Sequence, residues 1–265
     1  MWLVAASLEW AGEVALQISV PPRGVEWKRK TAKTDINNER RIMKRKILLS
    51  CYVICMLLMS IILMWRTSSG YMFAYEYNSM NGKENADGEI YMNLSVGTDN
   101  PFIISTDSDI IAAIDGGYTG YIYFGYPTCP YCRNTVPVLI DELKENGIRR
   151  VLYCNLKKYN YQYKYDTDAG IIETQRGSKS YDMLLDILHE YASPKVVKDI
   201  DGNVIQTGKN TLYVPAIVRF ENGVPSACWQ YKDADIVLDD NQSVYDEWSD
   251  EQKDIIKHSI ENILF

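Results

Sequence analysis

The longest apolar run in the chain, "ILLSCYVICMLLMSIILMW" from Ile47 to Trp65, has no charged residue and lies between "MKRK" and Arg66. A helix of that length crosses the hydrocarbon core of a bilayer, so residues 47–65 predict a single transmembrane helix. A cleavable signal peptide shares the order of basic flank and apolar core. This core, however, exceeds the ~7–15 residues usual for signals, and "RTSSG" beyond it offers no Ala-x-Ala site. The following "YMFAYEYNSMNGKENADGEIYMN" is polar and rich in Asn, and reads as a linker over 66–105.

From residue 106 the pattern is that of a folded domain, 106–265. It predicts a helix or short strand at 107–114, an apolar strand "YIYFG" at 121–125, a helix from 130 to 146 stopped by Gly147, and a strand "RVLYCNL" at 150–156. A helix follows at 180–192. Strands at 216–220 and 226–231 flank the turn "ENGV", and a last helix at 249–264 starts with a capping box from Ser249 to Gln252. Strand, helix, strand, helix, hairpin, helix describes an α/β domain with a mixed sheet flanked by helices. Two irregular stretches interrupt it. In "KKYNYQYKYDTDAGIIETQRGSKS" the tyrosines 159, 161, 163 and 165 alternate, which suits packing of an extended segment or contact with a peptide. In "VVKDIDGNVIQ" Asp201-Gly202 predicts a hairpin.

Charge adds an orientation. Residues 1–46 carry ten Lys or Arg against five Asp or Glu, whereas 17 of the 28 basic and 30 of the 35 acidic residues follow Arg66, a net of −13. The positive-inside bias places residues 1–46 in the cytoplasm, as a tail or as sequence upstream of a start at Met43, and the domain outside it. A domain so acidic is a poor partner for nucleic acid.

Chemistry concentrates in "FGYPTCPYCRNTVP", where Cys129 and Cys132 stand at the junction of strand and helix. A thiol at a helix N-terminus meets unpaired N–H groups and the positive end of the helix dipole, which stabilises its thiolate below the free pKa of about 8.5. Cys129 fits that role as the exposed nucleophile. Pro130 suits the first helical turn, and Cys132 falls inside the helix as the shielded thiol that attacks a mixed disulfide formed at Cys129. Metal binding would need further ligands, and the two histidines, His189 and His258, fall in helical patterns far from the pair; Cu(I) on the two thiols alone is the rival. Cys51 and Cys55 share a face of the apolar helix.

"PTCPYCR" resembles the redox motif of the thioredoxin superfamily in its glutaredoxin-like form, and Pro137 matches the proline that kinks the same helix. The resemblance extends to "YVPAIVRFENG", where Val214-Pro215 stands at the family's cis-proline, and covers roughly residues 105–265. Within the superfamily the arrangement is similar to bacteriocin transport accessory or disulfide-maturation proteins. It implies a thioredoxin-like sheet of order 1-3-2-4-5, with Cys154 and Cys228 on strands too far apart to pair and therefore buried and free.

The resemblance also implies dithiol–disulfide exchange by Cys129 and Cys132 on exported cysteine-containing peptides or proteins. Pro130, Tyr131, Val214 and Pro215 would contact the substrate, a membrane or extracytoplasmic redox partner would pass electrons, the bilayer would hold residues 47–65, and no cofactor or metal is implied. A membrane-tethered binding or chaperone module is the alternative. The chain departs from the family where thioredoxins keep a buried aspartate and a tryptophan: here stand Tyr123 and Thr128. The base for Cys132 is then solvent, the Tyr123 hydroxyl or a carboxylate elsewhere.

Overall fold

The computed structural model describes residues 26–66 and 68–264, in two compact units divided between Ile62 and Leu63. The first unit contains most of α1 (Glu26–Arg66). Its stretch Asn38–Met64 is long and apolar enough, by length and composition, to cross a membrane, and none of it is buried. Cys51 and Cys55 are exposed on it.

The second unit continues through α2 (Ser69–Asn78), β1 (Phe102–Ser105), α3 (Asp107–Asp115), β2 (Gly120–Gly125), α4 (Pro130–Glu145) and β3 (Val151–Asn155). Then come β4 (Gln162–Asp166), β5 (Gly170–Gln175), α5 (Lys179–Ile187), β6 (Ser193–Lys198), β7 (Val204–Thr211), β8 (Ala216–Glu221), β9 (Val224–Gln230) and α6 (Asp250–Leu264). The central sheet runs β1-β3-β2-β8-β9. Strands β1, β3 and β2 are parallel, with Tyr123 beside Tyr153, and β8 and β9 are antiparallel, with Tyr123 opposite Ile217 and Val218 opposite Cys228. Counting sheet strands alone, this is the order 1-3-2-4-5.

Two-residue alternation divides the core. On one face Tyr123, Tyr153 and Ile217 pack under α2, α4 and α6 through Phe73, Tyr77, Val136, Leu139, Ile256 and Ile260. On the other Ile122, Phe124, Cys154 and Val218 pack under α3 and α5 through Ile110, Ile114, Tyr181 and Leu184. Each such buried side chain contributes about 1.5–3 kcal/mol of transfer free energy.

The stretch 66–105, expected as a linker, is instead part of this body from Ser69 onward. Phe73 and Tyr77, one helical turn apart, are fully enclosed, and Tyr91, Leu94 and Val96 are buried. Its asparagines do structural work that composition conceals. Asn78 Nδ2 donates to the Val96 carbonyl and its Oδ1 accepts the Val96 amide, both at 2.9 Å. Asn81 does the same for Leu94, at 2.7 and 3.2 Å. Side-chain amides thus satisfy backbone groups that would otherwise need a neighbouring strand.

The tyrosine-rich insertion forms the β4–β5 hairpin. Its aromatics pack on the domain: Tyr161 is buried, stacks on Tyr163 at 6.5 Å and donates to Asp182 at 2.9 Å. The Asp201-Gly202 turn joins β6 to β7, with Gly202 at φ +83°. Helix α5 ends at Ile187, short of the expected 192, because β6 begins at Ser193.

Candidate functional site

Strand β2 ends at Gly125, and the turn Tyr126-Pro127-Thr128 delivers Cys129 to the N-cap of α4. The Cys132 amide donates to the Cys129 sulfur at 3.2 Å, so a helix N–H that would lack a partner points at the thiol. Pro130 occupies the first turn, where its missing N–H costs nothing, and Pro137 lies inside the helix.

The two thiols are free and differ in access, though less than the sequence suggested. Cys129 is 4% exposed and Cys132 0%. Cys129 faces a cleft shared with Lys195 of β6 and Thr211 of β7. This cleft, of about 330 Å³, is lined also by Tyr126, Tyr131, Tyr213, Val214 and Tyr231. Burial pushes the Cys132 thiol well above its ordinary pKa, and the neighbouring Cys129 sulfur pushes the same way.

The Val214–Pro215 peptide is cis, Pro215 is buried, and the Cys129 thiol donates to the Val214 carbonyl at 3.9 Å. Tyr131 is half-buried against Tyr231, ring centroids 4.1 Å apart, and Tyr231 stacks in turn on Trp248 at 5.6 Å. The structure therefore brings Cys129, Cys132, Pro130, Tyr131, Val214 and Pro215 to one place.

Two neighbours were not legible as site residues. Arg133 is fully buried, and all its listeners are neutral: Nη1 donates to the carbonyls of Tyr77 and Pro127 at 2.9 and 3.1 Å, Nη2 to Met92 O and Asn81 Oδ1 at 2.6 Å each, and Nε to Met92 O at 3.2 Å. It binds the segment after α2 to the turn that precedes Cys129. Its spacing with Val136, Ile140 and Leu143 is that of a buried helical stripe, a signal that an arginine on a core face offers.

The second is a tyrosine cluster under Cys132. Tyr123 and Tyr77 are completely enclosed with their hydroxyls 3.4 Å apart, and Tyr153, 1% exposed, donates to Glu76 Oε2 at 3.3 Å. Glu76 Oε1 pairs with Lys158 at 3.0 Å at the edge of the domain.

Cys154 is buried on β3. Cys228, on the edge strand β9, is only half-buried, in contrast to the expectation that both be buried, because an edge strand has a neighbour on one side only. Burial pushes Cys228 up to about 12, and Asp233 adds to this. Among the described residues no group of three or more His, Cys, Asp or Glu could hold a metal ion. His189 and His258 are exposed, each with Nδ1 near a backbone carbonyl of its own helical segment, at 3.0 and 2.7 Å.

No protein-family model matches the chain, and no curated protein does. Among solved structures, thioredoxin O2 from Arabidopsis thaliana in the oxidised state is similar at 15% identity, over 49% of this chain and 83% of that one, with a TM-score of 0.25. The class defined here is a mixed β-sheet flanked by α-helices. Its closely spaced cysteine pair is consistent with a redox centre.

Proposed function

We propose that the chain is a thiol–disulfide oxidoreductase. The observation that carries this reading is the asymmetry of the pair: Cys129 receives a helix N–H and borders a cleft, while Cys132 lies enclosed directly behind it. In the reducing direction the Cys129 thiolate attacks a substrate disulfide, forming a mixed disulfide and releasing one substrate thiolate. Cys132 then attacks Cys129 Sγ, the second substrate thiolate departs, and the enzyme keeps the Cys129–Cys132 disulfide; the two electrons have passed from enzyme to substrate. Oxidation of a substrate dithiol is the same path reversed. Val214, Pro130, Tyr131 and Pro215 bound the place where the substrate chain would lie.

The substrates proposed are cysteine-containing exported peptides or proteins, with a membrane or extracytoplasmic protein as electron partner. An apolar helix followed by a region of net −13 supports a single-pass membrane protein with the redox domain outside the cytoplasm. The division proposed is a tail at 1–46, the span at 47–65 and a redox domain whose fold reaches back to α2. The narrower assignment, a bacteriocin transport accessory or disulfide-maturation protein, rests on the motif resemblance alone.

Replacing Cys132 with Ala tests the reaction. The variant is expected to accumulate a mixed disulfide at Cys129 with a disulfide-bearing peptide, seen as a reducible mass adduct. Complete absence of adduct, with the wild type equally inert toward the peptide, would sink the redox reading.

A further inference from the structure

The cleft beside Cys129 carries a charge pattern opposite to that of the region around it. The chain after Arg66 holds 30 acidic and 17 basic residues, yet the described residues that line the cleft include Lys195 and Lys232 and no Asp, Glu or His. Lys195 comes from β6 and Lys232 from the helical turn that follows β9, so two separate elements bring cations to one space.

Neither cation is neutralised. Among the described residues Lys144, Lys158, Lys253 and Lys257 pair with carboxylates, whereas Lys195 and Lys232 form no ion pair. Lys232 Nζ donates to the Ser193 hydroxyl, a neutral acceptor, at 2.9 Å. Asp233, the next residue in the chain, is turned to the backbone: its Oδ2 accepts the Gln230 amide at 2.9 Å. Lys195 is half-buried, and burial pulls its ammonium below the usual lysine range, as for a cation held partly out of water with no counter-charge. On the other side of the motif turn Lys157 Nζ donates to Thr128 Oγ1 at 3.0 Å and lies 5.7 Å from the centroid of the Tyr126 ring, both neutral partners.

Resting on the redox reading, we propose that this cleft selects substrates whose reacting cysteine is flanked by an aspartate or glutamate, with the carboxylate received by Lys195 and Lys232.

The position of the reacting sulfur makes a flanking residue the one that is read. Cys129 and Val214, whose carbonyl accepts the Cys129 thiol at 3.9 Å, line the same cleft as the two lysines, so a chain whose cysteine reaches Cys129 brings its neighbouring side chains there. A space of about 330 Å³ takes a short segment. Tyr131 and Tyr213 give it amphipathic walls that suit many side chains, which leaves charge to discriminate. An incoming carboxylate supplies the counter-charge that Lys195 lacks, whereas a lysine at that place adds a like charge to the cleft. The net −13 of the surrounding region does not reverse this preference. Charges beyond about 8 Å are largely screened at physiological ionic strength, and a contact inside a cleft is not.

The test uses the reduced full-length chain in detergent and three short peptides that differ only beside their single cysteine, where they carry Glu, Gln or Lys. Each cysteine is joined to a neutral thiopyridyl group. Attack by the Cys129 thiolate forms the Cys129–peptide disulfide and breaks the peptide–thiopyridyl bond; the electron pair leaves on thiopyridyl, which takes a proton from solvent and is followed as absorbing thiopyridone. Release by a Cys129→Ala chain is subtracted as the contribution of the other cysteines, and rates with mercaptoethanol correct for the reactivity of each peptide. The Glu peptide is expected to react about five- to tenfold faster than the Gln peptide, and the Lys peptide more slowly than both. The ratio of Glu to Gln rates cancels any change a substitution makes to the nucleophile itself. It should fall toward one in the double variant Lys195→Gln, Lys232→Gln, and in the wild type at about 1 M salt, where screening acts within about 3 Å. The wild-type comparison needs no folded variant. Equal rates for the Glu and Gln peptides in the wild type, or a ratio that the double variant preserves, overturn the preference and leave the redox reading standing. No Cys129-dependent release from any peptide overturns both.

Discussion

Cys132 presents its backbone N–H to the Cys129 sulfur at 3.2 Å while its own thiol is wholly enclosed beneath. One residue thus gives its neighbour's sulfur a hydrogen bond and is itself hard to ionise, which distinguishes the two thiols.

That difference predicts alkylation kinetics. With the Cys132 pKa raised, its thiolate fraction at neutral pH is small and grows only as pH rises. Iodoacetamide followed by peptide mass mapping should label Cys129 before Cys132, with Cys132 gaining only toward alkaline pH. Labelling of Cys132 first at neutral pH would reverse the roles assigned.

Arg133 supplies a stability prediction. Truncation in Arg133→Ala strips donors from the carbonyls of Tyr77, Met92 and Pro127 and from Asn81, and leaves a cavity. At roughly 1–3 kcal/mol for each buried group left unsatisfied, with partial relaxation, a loss of about 3 kcal/mol or more is expected in urea unfolding. An unchanged midpoint would show that the clamp contributes nothing.

Gly223 closes the β8–β9 turn at φ +80°, and a Cβ there would stand 2.3 Å from the Ile114 carbonyl oxygen. The obstacle is backbone and cannot swing aside. Gly223→Ala should cost on the order of 2 kcal/mol from strain and clash together. Thermal unfolding within one degree of the wild type would contradict it.

The α3 capping box makes acid sensitivity specific. The Thr106 amide and hydroxyl, at 2.9 and 2.7 Å from Asp109 Oδ2, hold that carboxyl below its ordinary pKa. A depressed folded-state value gives stability that is present above the unfolded pKa of about 3.9 and is lost as pH falls through the folded one. Asp109→Asn should therefore flatten the acid limb of the stability profile below about pH 5; an identical limb in both proteins would refute the linkage.

Topology predicts a last measurement. Protease added to intact cells with an opened wall should digest the region after Arg66, spare a cytosolic control and leave the α1 segment in the membrane fraction. Protection of the domain, with Cys129 and Cys132 reduced in the cell, would place it in the cytoplasm.

Much of the central sheet was legible in the sequence because its strands and helices carry their own periodicity: Ile122 and Phe124 alternate with Tyr123, and Ser249 with Gln252 announces α6. Helix α2 escaped because two core aromatics, Phe73 and Tyr77, sit among residues whose polarity reads as loop, and because Asn78 and Asn81 bond a distant backbone. The cysteine pair and Val214-Pro215 were visible as local motifs. The enclosure of Cys129 was not, since its cleft is also lined by Lys195 and by Thr211, Leu212, Tyr213 and Val214, far downstream in the chain. Tyr123 could be recognised as a departure at a known place, whereas its partners Tyr77 and Tyr153 come from separate elements that only the fold assembles.

The Arg133 clamp also sets where the protein can be cut. A fragment trimmed to residue 106, the boundary that composition invites, would discard Tyr77, Asn81 and Met92 and leave a guanidinium in the core with Pro127 as its one remaining acceptor. The four-residue motif is therefore not a portable cassette. Its smallest transplantable unit begins at Ser68, whose hydroxyl caps α2, and carries the asparagine-stapled segment with it.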